Sequence, residues 1–327
     1  MSTAAEPRRP TAADLAGTAS RIGAAIESVI QGKPDAVRLI LTVLIAAGHV
    51  LIEDVPGVGK TMLAKALGRA IDCSVSRVQF TPDLLPSDIT GVSAYVSQTG
   101  EFEFKPGPVF ASIVVGDEIN RAAAKTQSAL LECMEEQHVT VDGKTYALES
   151  PFMVVATQNP VEMAGTYPLP EAQRDRFTAR ISIGYPPVSA ELDMLDGHSA
   201  SSPLDNLVPV ADAADIRALI QTARTVHLSA PLRRYVINLV TATRGHPELR
   251  LGASPRATLH LARASRAYAA LDGRDYVIPD DVQALAVPVL AHRLLLAGTA
   301  PRSTPEDVVA DLVERLPVAM RRLDSQT

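Results

Sequence analysis

Lys60 and Thr61, at the end of a glycine-rich turn, are the first residues of this sequence whose types and spacing could do chemistry. The turn follows an apolar run at residues 49–52, and residues 62–67 after it have helical character. In a strand–turn–helix of this kind, backbone N–H groups and the helix N-terminus can hold phosphates. The lysine reaches the outer phosphates and the threonine hydroxyl ligates Mg²⁺. The stretch therefore predicts a site for a nucleoside triphosphate.

The turn departs from the usual pattern at one position. In G-x-x-x-x-G-K-[ST] the first residue is glycine, whereas here it is Asp54. An acid beside the phosphates could weaken binding by charge repulsion. It could equally lie at the strand end and point away, because Pro56, Gly57 and Gly59 still supply the turn. Both interpretations stay open, and the triphosphate site needs support from elsewhere in the chain.

A pair of carboxylates, Asp117 and Glu118, ends a second apolar run. Metal-assisted phosphoryl transfer needs a carboxylate that holds Mg²⁺, here Asp117, and one that orients and deprotonates the attacking water, here Glu118. Taken alone, such a pair at a strand end is more often a solvated terminus. Its position, one strand and one insertion after the glycine-rich turn at residues 53–61 (the phosphate loop), favours the catalytic interpretation.

Asn159 follows a core strand predicted at residues 152–157. An amide at this place could hydrogen-bond the attacking water or the terminal phosphate. An Asn before Pro160 suits a turn equally well, so this residue does not decide the matter by itself.

Two arginines could supply positive charge to a phosphate site. Arg176, in the run Arg174-Asp-Arg-Phe177, could reach the nucleotide of a neighbouring subunit, and a surface salt bridge is the alternative. Arg256 lies in the first turn of a predicted helix, where the helix dipole disfavours a cation. An anionic partner would explain its placement, and a packed arginine is the alternative.

Composition narrows the class of protein. The 327 residues are 46% hydrophobic and 21% charged, as in ordinary soluble globular proteins, and their number suggests about two domains. Aromatic residues make up only 4% and the net charge is −6, so no nucleic-acid partner is expected. Cys73 and Cys133 lack metal-ligand spacing and are expected to be reduced and buried thiols. No run approaches the ~18 apolar residues of a membrane span, and residues 1–13 carry no signal segment, so a cytoplasmic location is expected.

The elements that must position these residues alternate in type along the chain. Helical patterns come first, at residues 14–30 and 35–47, and helices then alternate with apolar runs. The predicted strands are residues 49–53, 74–80, 114–118, 152–157 and 179–183. This alternation predicts a parallel sheet covered by helices on both faces. Insertions at residues 91–110 and 138–148 are predicted hairpins, the second with a two-residue Asp142-Gly143 turn.

The character of the sequence changes after the run Tyr185-Pro-Pro187, beyond which helical patterns dominate. Several of these helices begin with Pro in the first turn or with an Asp, Ser or Thr cap. We therefore predict a disordered tail at residues 1–13, an α/β nucleotide-binding core at residues 14–185 and an all-helical lid domain at residues 186–327.

The order and spacing of these motifs resemble the MoxR family of AAA+ ATPases, in the branch with an insertion in helix 2 and a hairpin before the sensor strand. The resemblance covers most of the chain. It implies a P-loop AAA+ core with a parallel sheet and β-hairpin insertions, followed by a helical lid. Its densest segments are residues 80–91 and 127–132, Asp117-Glu-Ile-Asn-Arg121, Ala156-Thr-Gln-Asn-Pro160, Pro170-Glu-Ala-Gln173 and Asp175-Arg-Phe177.

The resemblance implies ATP as the nucleotide, with Mg²⁺ held by Thr61 and Asp117. Gly32 falls where such proteins begin the adenine pocket. The residues expected to contact the nucleotide are Gly32, Pro56, Gly57, Val58, Gly59, Lys60, Thr61 and Met62. ATP is favoured over GTP because the only partial guanine-type match, Gly32-Lys-Pro-Asp35, lacks the Asn and precedes the phosphate loop.

Four residues take catalytic roles by the same resemblance. Lys60 and Thr61 form the Walker A pair, and Glu118 follows Asp117 as the second Walker B residue. Asn159 would be sensor 1, Arg176 the arginine finger that acts in trans, and Arg256 sensor 2. Arg174 is the alternative finger, and Arg176 is preferred because the match is to Asp-Arg-Phe.

The function implied is ATP hydrolysis coupled to remodelling of a protein client. Relatives of this type form homo-oligomeric rings, expected here to be hexamers, and work with von Willebrand factor A-domain partners in maturing or inserting metals into other complexes. The chain carries no such domain, so that partner would be a separate protein. Two alternatives stay open: the ATPase subunit of a metal-chelatase machine, and a nucleotide-binding scaffold with little turnover.

Overall fold

The computed structural model describes residues 12–159, 167, 169–188, 192, 203–298 and 303–318. Most of the predicted tail, residues 1–11, lies outside the described residues, and the first helix begins at Ala12 rather than after residue 13. The described helices are α1 Ala12–Glu27, α2 Pro34–Ile45, α3 Lys60–Ala70, α4 Pro86–Thr90, α5 Ala124–Glu136, α6 Glu171–Arg174, α7 Ala213–Thr225, α8 Ala230–Arg244, α9 Pro255–Leu271, α10 Pro279–Leu290 and α11 Pro305–Arg315.

The strands form one parallel sheet and three antiparallel pairs. They are β1 Val50–Glu53, β2 Val75–Gln79, β3 Gly91–Val96, β4 Glu101–Pro106, β5 Ile113–Asp117, β6 His138–Val141, β7 Lys144–Ala147, β8 Met153–Gln158, β9 Ala179–Ile181, β10 Leu249–Leu251 and β11 Leu295–Leu296. The sheet has the order β2-β5-β8-β1-β9, with every neighbouring pair parallel. The predicted α/β class with a parallel sheet is confirmed.

Two hydrophobic clusters cover the two faces of the sheet. All of β5 is buried, as is β8 apart from its last residue, which is what central parallel strands require. Alternate residues enter opposite clusters: Val115 and Val155 pack with α3, whereas Val114 and Val154 pack with α5. Because the strands are parallel, their carboxyl ends share one edge, and the turns that follow β1, β5 and β8 therefore meet there.

Both predicted hairpins are present. Strands β3 and β4 pair from Gly91 with Pro106 to Val96 with Glu101, and β6 pairs with β7. Asp142 and Gly143 both have positive φ, 49° and 77°, as the predicted two-residue turn requires. The rings of Phe104 and Tyr146 stack at 4.0 Å, so the two hairpins support each other.

The first two helices and the C-terminal helices share one core. The larger cluster contains Ile22 of α1, Leu44 of α2 and Leu261 of α9, together with the α3 face of the sheet. The C-terminal helices begin at side-chain caps: Asp212 accepts from two backbone N–H groups ahead of α7, and Ser254 accepts from Ala257 ahead of α9. The division at residue 185 stays a prediction, since apolar packing continues across it. Among the described residues, no helix has the length and apolar character needed to cross a membrane.

Candidate active site

The phosphate loop joins β1 to α3 at the carboxyl edge of the sheet. Gly57 and Gly59 have φ of +84° and +90°, the left-handed region that favours glycine, and Gly59 directly precedes Lys60, the first residue of α3. A Cβ at either glycine would meet no atom within 4 Å, so these glycines serve the backbone turn and leave its outer side open. Val58 packs against the core, while Met62 is 37% exposed. The loop has the form of an open cradle at a helix N-terminus.

Lys60 and Thr61 lie beside the predicted metal-binding acid. The Lys60 Nζ donates to the carbonyl of Asp54 at 2.6 Å and to that of Gln158 at 3.2 Å, so the ammonium lies at the ends of β1 and β8. The Thr61 hydroxyl lies 3.1 and 3.2 Å from the two carboxylate oxygens of Asp117. A hydroxyl next to a carboxylate, beside a phosphate cradle, is a donor set that fits Mg²⁺.

Asp54 points away from the phosphate loop. One carboxylate oxygen accepts from the N–H groups of Ile183 at 2.7 Å and Gly184 at 2.6 Å and from the Ser182 hydroxyl, and the other accepts from Val55 N–H. Burial opposes ionisation, but these hydrogen bonds outweigh it and lower the pKa of Asp54. Of the two interpretations from sequence, the geometry supports the strand-end position.

Both predicted Walker B carboxylates are held by side chains of the neighbouring strand β2. Arg77 Nε donates to Asp117 at 2.6 Å, and Gln79 Nε2 donates to Glu118 at 3.1 Å. Gln79 is the register partner of Asp117, and the two-residue spacing puts Arg77 on the same face of β2. Arg121, to which the sequence assigns no role, also pairs with Glu118 at 2.8 Å. These contacts could not be predicted from the sequence, because it does not show which strands are neighbours.

Asn159 and Gly32 both lie near this edge. Asn159 directly follows β8, which lies between β1 and β5, and it is 5% exposed. Gly32 has φ of +71°, and a Cβ there would lie 2.9 Å from Pro187 Cγ. Lys33 Nζ donates to the carbonyl of Tyr185 at 2.6 Å. Gly32 therefore lies against the segment after β9, next to the part that Asp54 binds.

Arg176 and Arg256 lie together, but at the opposite edge of the sheet. Arg176 precedes β9, and Thr178 N–H donates to the carbonyl of His49 just ahead of β1. The four residues of β1 separate this edge from the phosphate loop by roughly 13 Å. Both arginines bind the carboxylate of Glu135, at 2.8 Å for Arg176 Nε. Neither arginine is placed to act on its own phosphate loop.

These arginines line a cavity of about 250 Å³. Its charged and titratable lining consists of Arg176, Arg256, Arg263, Glu135, His49 and His260. Burial lowers the pKa of His49 to about 4 and that of His260 to about 3, so both imidazoles are neutral and the positive charge of the lining comes from the arginines. Within the described part of the chain the lining includes Arg176 and omits Arg174, which favours Arg176 as the finger.

A buried network fixes the segment that carries Arg176. Arg293 is 3% exposed, pairs with Asp175 at 2.9 Å and donates to the carbonyl of Phe177 at 2.6 Å. Asp175 also accepts from the hydroxyl of Ser254, the residue that caps α9 and so sets the position of Arg256. The sequence did not indicate this network, since its members are separated by up to 118 residues.

Comparison with known proteins assigns the family. Residues 49–179 match the profile of the ATPase family associated with various cellular activities (AAA), and residues 241–314 match the AAA lid domain. The chain is 51% identical to the uncharacterised protein YeaC of Bacillus subtilis, over 89% of this chain and 90% of that protein. It is 42% identical to chaperone MoxR1 of Mycobacterium tuberculosis, over 87% and 78%.

A solved structure has the same fold. The crystal structure of a presumed ATPase from Cytophaga hutchinsonii superimposes with a TM-score of 0.87 at 35% identity, covering 94% of this chain and 97% of that one. The two profiles lie over the sheet with its phosphate loop and over the C-terminal helices, as the resemblance of the motifs implied. The chain belongs to the MoxR family of AAA ATPases.

Proposed function

We propose that this protein hydrolyses ATP in a ring-shaped homo-oligomer, expected to be a hexamer, whose active sites are each shared by two subunits. The observation that carries the proposal is the distribution of charge over the sheet. The phosphate loop with the Thr61–Asp117 contact lies at the carboxyl edge, and the Arg176–Arg256 pair lies at the amino edge. When subunits meet head to tail, the amino edge of one lies against the carboxyl edge of the next.

At the carboxyl edge, the loop residues from Pro56 to Met62 would bind the phosphates, and Lys60 would reach the outer ones. Thr61 and Asp117 would hold Mg²⁺, which neutralises phosphate charge when bound. Glu118 would orient the attacking water and accept its proton, and Asn159 would hydrogen-bond that water or the terminal phosphate. Gly32 would border the adenine.

At the amino edge, Arg176 and Arg256 would contact the terminal phosphate of the neighbouring subunit's ATP. A guanidinium that reaches this phosphate stabilises charge in the transition state, as arginine fingers supplied in trans do in other ATPases and GTPases. Hydrolysis would therefore depend on assembly.

The work coupled to hydrolysis is proposed to be remodelling of a protein client, in line with the name chaperone borne by the mycobacterial relative. The hairpin β3–β4 offers a contact surface: Tyr95 and Phe102 are 60% and 72% exposed, and their rings lie 5.4 Å apart. Exposed aromatic residues of this kind suit protein contacts. We further propose that a separate protein with a von Willebrand factor A domain is the partner. The role would be the maturation of a partner complex or the insertion of metal into it, and the location would be the cytoplasm.

The test is steady-state ATPase activity, measured with Mg²⁺ at high protein concentration. Wild type is expected to turn over, and Glu118→Gln to bind ATP with activity reduced by roughly a hundredfold or more, because the acceptor for the water's proton is lost. If both proteins lack ATPase activity, the proposed enzymatic function is contradicted and a nucleotide-binding scaffold is favoured. The same variant, loaded with ATP, is expected to retain the client in affinity capture.

A further inference from the structure

We infer that Glu135 is a positioning residue, which sets Arg176 and Arg256 for the phosphate of a neighbouring subunit's nucleotide. The inference rests on the proposed function, since it concerns the face of the subunit that would complete the neighbouring site. Glu135 is the penultimate residue of α5, and its carboxylate lies between the two arginines.

The carboxylate divides its oxygens between the arginines. Oε2 accepts from Arg176 Nε at 2.8 Å, and Oε1 accepts from a terminal nitrogen of Arg256. The three side chains are 29 to 35% exposed, so the group is open to a ligand without being fully solvated. A charge-assisted bond to each guanidinium fixes both groups in one place.

The guanidinium nitrogen through which Arg176 binds Glu135 decides which of its N–H groups stay available. Arg176 binds Glu135 through Nε, the guanidinium nitrogen closest to its backbone. Among the described residues Glu135 is the only acceptor for Arg176, so both terminal nitrogens keep their N–H groups for another acceptor. A guanidinium binds phosphate best through two parallel N–H groups. Glu135 therefore fixes the orientation of Arg176 while leaving donors available for phosphate.

Electrostatics also favours this role. Arg176, Arg256 and the nearby Arg263 line one cavity, and like charges at such a site repel each other. The carboxylate of Glu135 lets the first two guanidiniums share the site, and the trio of Arg176, Arg256 and Glu135 still keeps a net positive charge. That charge attracts phosphate. Asp175 lies 3.7 Å from the other terminal nitrogen of Arg256 and supports it from the side.

The first measurement compares Glu135→Gln with Glu136→Gln. Glu136 is the adjacent exposed residue, its side chain has no partner among the described residues, and the substitution removes the same charge. We expect Glu135→Gln to lower kcat about tenfold, because the two arginines lose their common anion. The KM for ATP and the assembly of the ring should stay at wild-type values, since the phosphate loop lies at the other edge. Glu136→Gln should behave as wild type in all three.

The second measurement tests whether Glu135 acts across the interface. Glu135→Gln subunits keep an intact phosphate loop, and Glu118→Gln subunits keep Arg176, Arg256 and Glu135 intact. In rings assembled from an equal mixture, about a quarter of the interfaces pair an intact phosphate loop from one subunit with intact Arg176, Arg256 and Glu135 from the next. Activity should therefore recover to about a quarter of wild type. A matched mixture of Arg176→Ala with Glu118→Gln should recover to the same extent.

The outcomes separate this inference from the proposed function. If the Arg176→Ala mixture recovers and the Glu135→Gln mixture does not, Glu135 acts within its own subunit or only on folding, and the inference is wrong. Unchanged kcat in Glu135→Gln would also overturn it. If neither mixture recovers, or if wild type has no ATPase activity, the proposal of a shared active site is itself wrong.

Discussion

At the scale of single residues, Asp54 departs from the phosphate-loop motif while the loop keeps its turn. The residue stands where the phosphate-loop pattern has glycine, yet its carboxylate turns from the loop to the backbone of Ile183 and Gly184. Three backbone N–H groups and the Ser182 hydroxyl compensate its charge. The segment that it holds also lies against Gly32, so Asp54 connects the phosphate loop to the region proposed to border the adenine.

We expect Asp54→Asn to destabilise the protein without tightening nucleotide binding. The amide keeps the shape but loses the charge-assisted bonds, which are typically worth roughly 1–3 kcal/mol of unfolding free energy. Urea denaturation measures this loss, and calorimetry measures the Kd for ATP. Ser182→Ala, which removes only one of the bonds, should have a smaller effect on stability. Tighter ATP binding with unchanged stability would instead support charge repulsion from Asp54.

At the scale of elements, the sequence predicts those strands and turns that a local residue pattern specifies. Strands β5 and β8 are predictable because central parallel strands are apolar runs, and the β6–β7 turn is predictable because Asp142-Gly143 adopts positive φ readily. The side chains around Glu118 and Arg176 were not predicted. Their partners lie on another strand or another helix, and neither periodicity nor turn chemistry records which elements become neighbours.

Arg293 allows a test of one such long-range contact. Burial lowers its pKa to about 10 against the opposing effect of Asp175, so it stays charged at neutral pH. Removal takes the buried cation away from the carboxylate of Asp175, which keeps its bond from Ser254, and one donor away from the carbonyl of Phe177. We expect Arg293→Met to lower the free energy of unfolding by about 3–5 kcal/mol, as breaking a buried ion pair does.

The matched control is Arg315→Met, whose ion pair with Asp311 lies on the surface and whose side chain is 75% exposed. It should change stability by less than about 1 kcal/mol. Urea unfolding of both variants measures the difference. In buffer without denaturant, where Arg293→Met stays folded, its ATPase activity should also fall, because the segment that carries Arg176 is no longer held by Arg293. Similar losses of stability in the two variants would mean that the buried network contributes no more than a surface pair.

At the scale of the whole molecule, one core joins the first two helices, the sheet and the C-terminal helices. Three histidines lie where these parts meet: His49 and His292 are buried and His260 is half-buried. His49 precedes β1 and bridges Met134 and Val154, and His292 contacts the carbonyl of Phe177. Burial lowers the pKa of both, and of His260, below the ordinary value of 6.5. Composition could not show this, because it counts histidines without showing which are buried.

The stability of the protein should therefore depend on pH in a defined direction. A buried histidine with a lowered pKa stays neutral in the folded chain but takes up a proton in the unfolded one, so its contribution is complete above about pH 6.5 and is lost as the pH falls through its folded value. For His49, whose folded pKa is about 4, the loss amounts to about 3 kcal/mol across this window. His260 and His292 act in the same direction, and Asp54 adds to the loss below its ordinary pKa of 3.8.

Urea unfolding at a series of pH values between 7.5 and 4 tests this dependence. His49→Asn keeps an acceptor for the N–H of Val154 but carries no titrating group. We expect the variant to be less stable than wild type at pH 7.5, because it loses packing and the bond to Met134, yet to lose less stability on acidification. Parallel curves for the two proteins would show that His49 is protonated equally in the folded and unfolded chains, and the pH dependence would then have to come from the other buried groups.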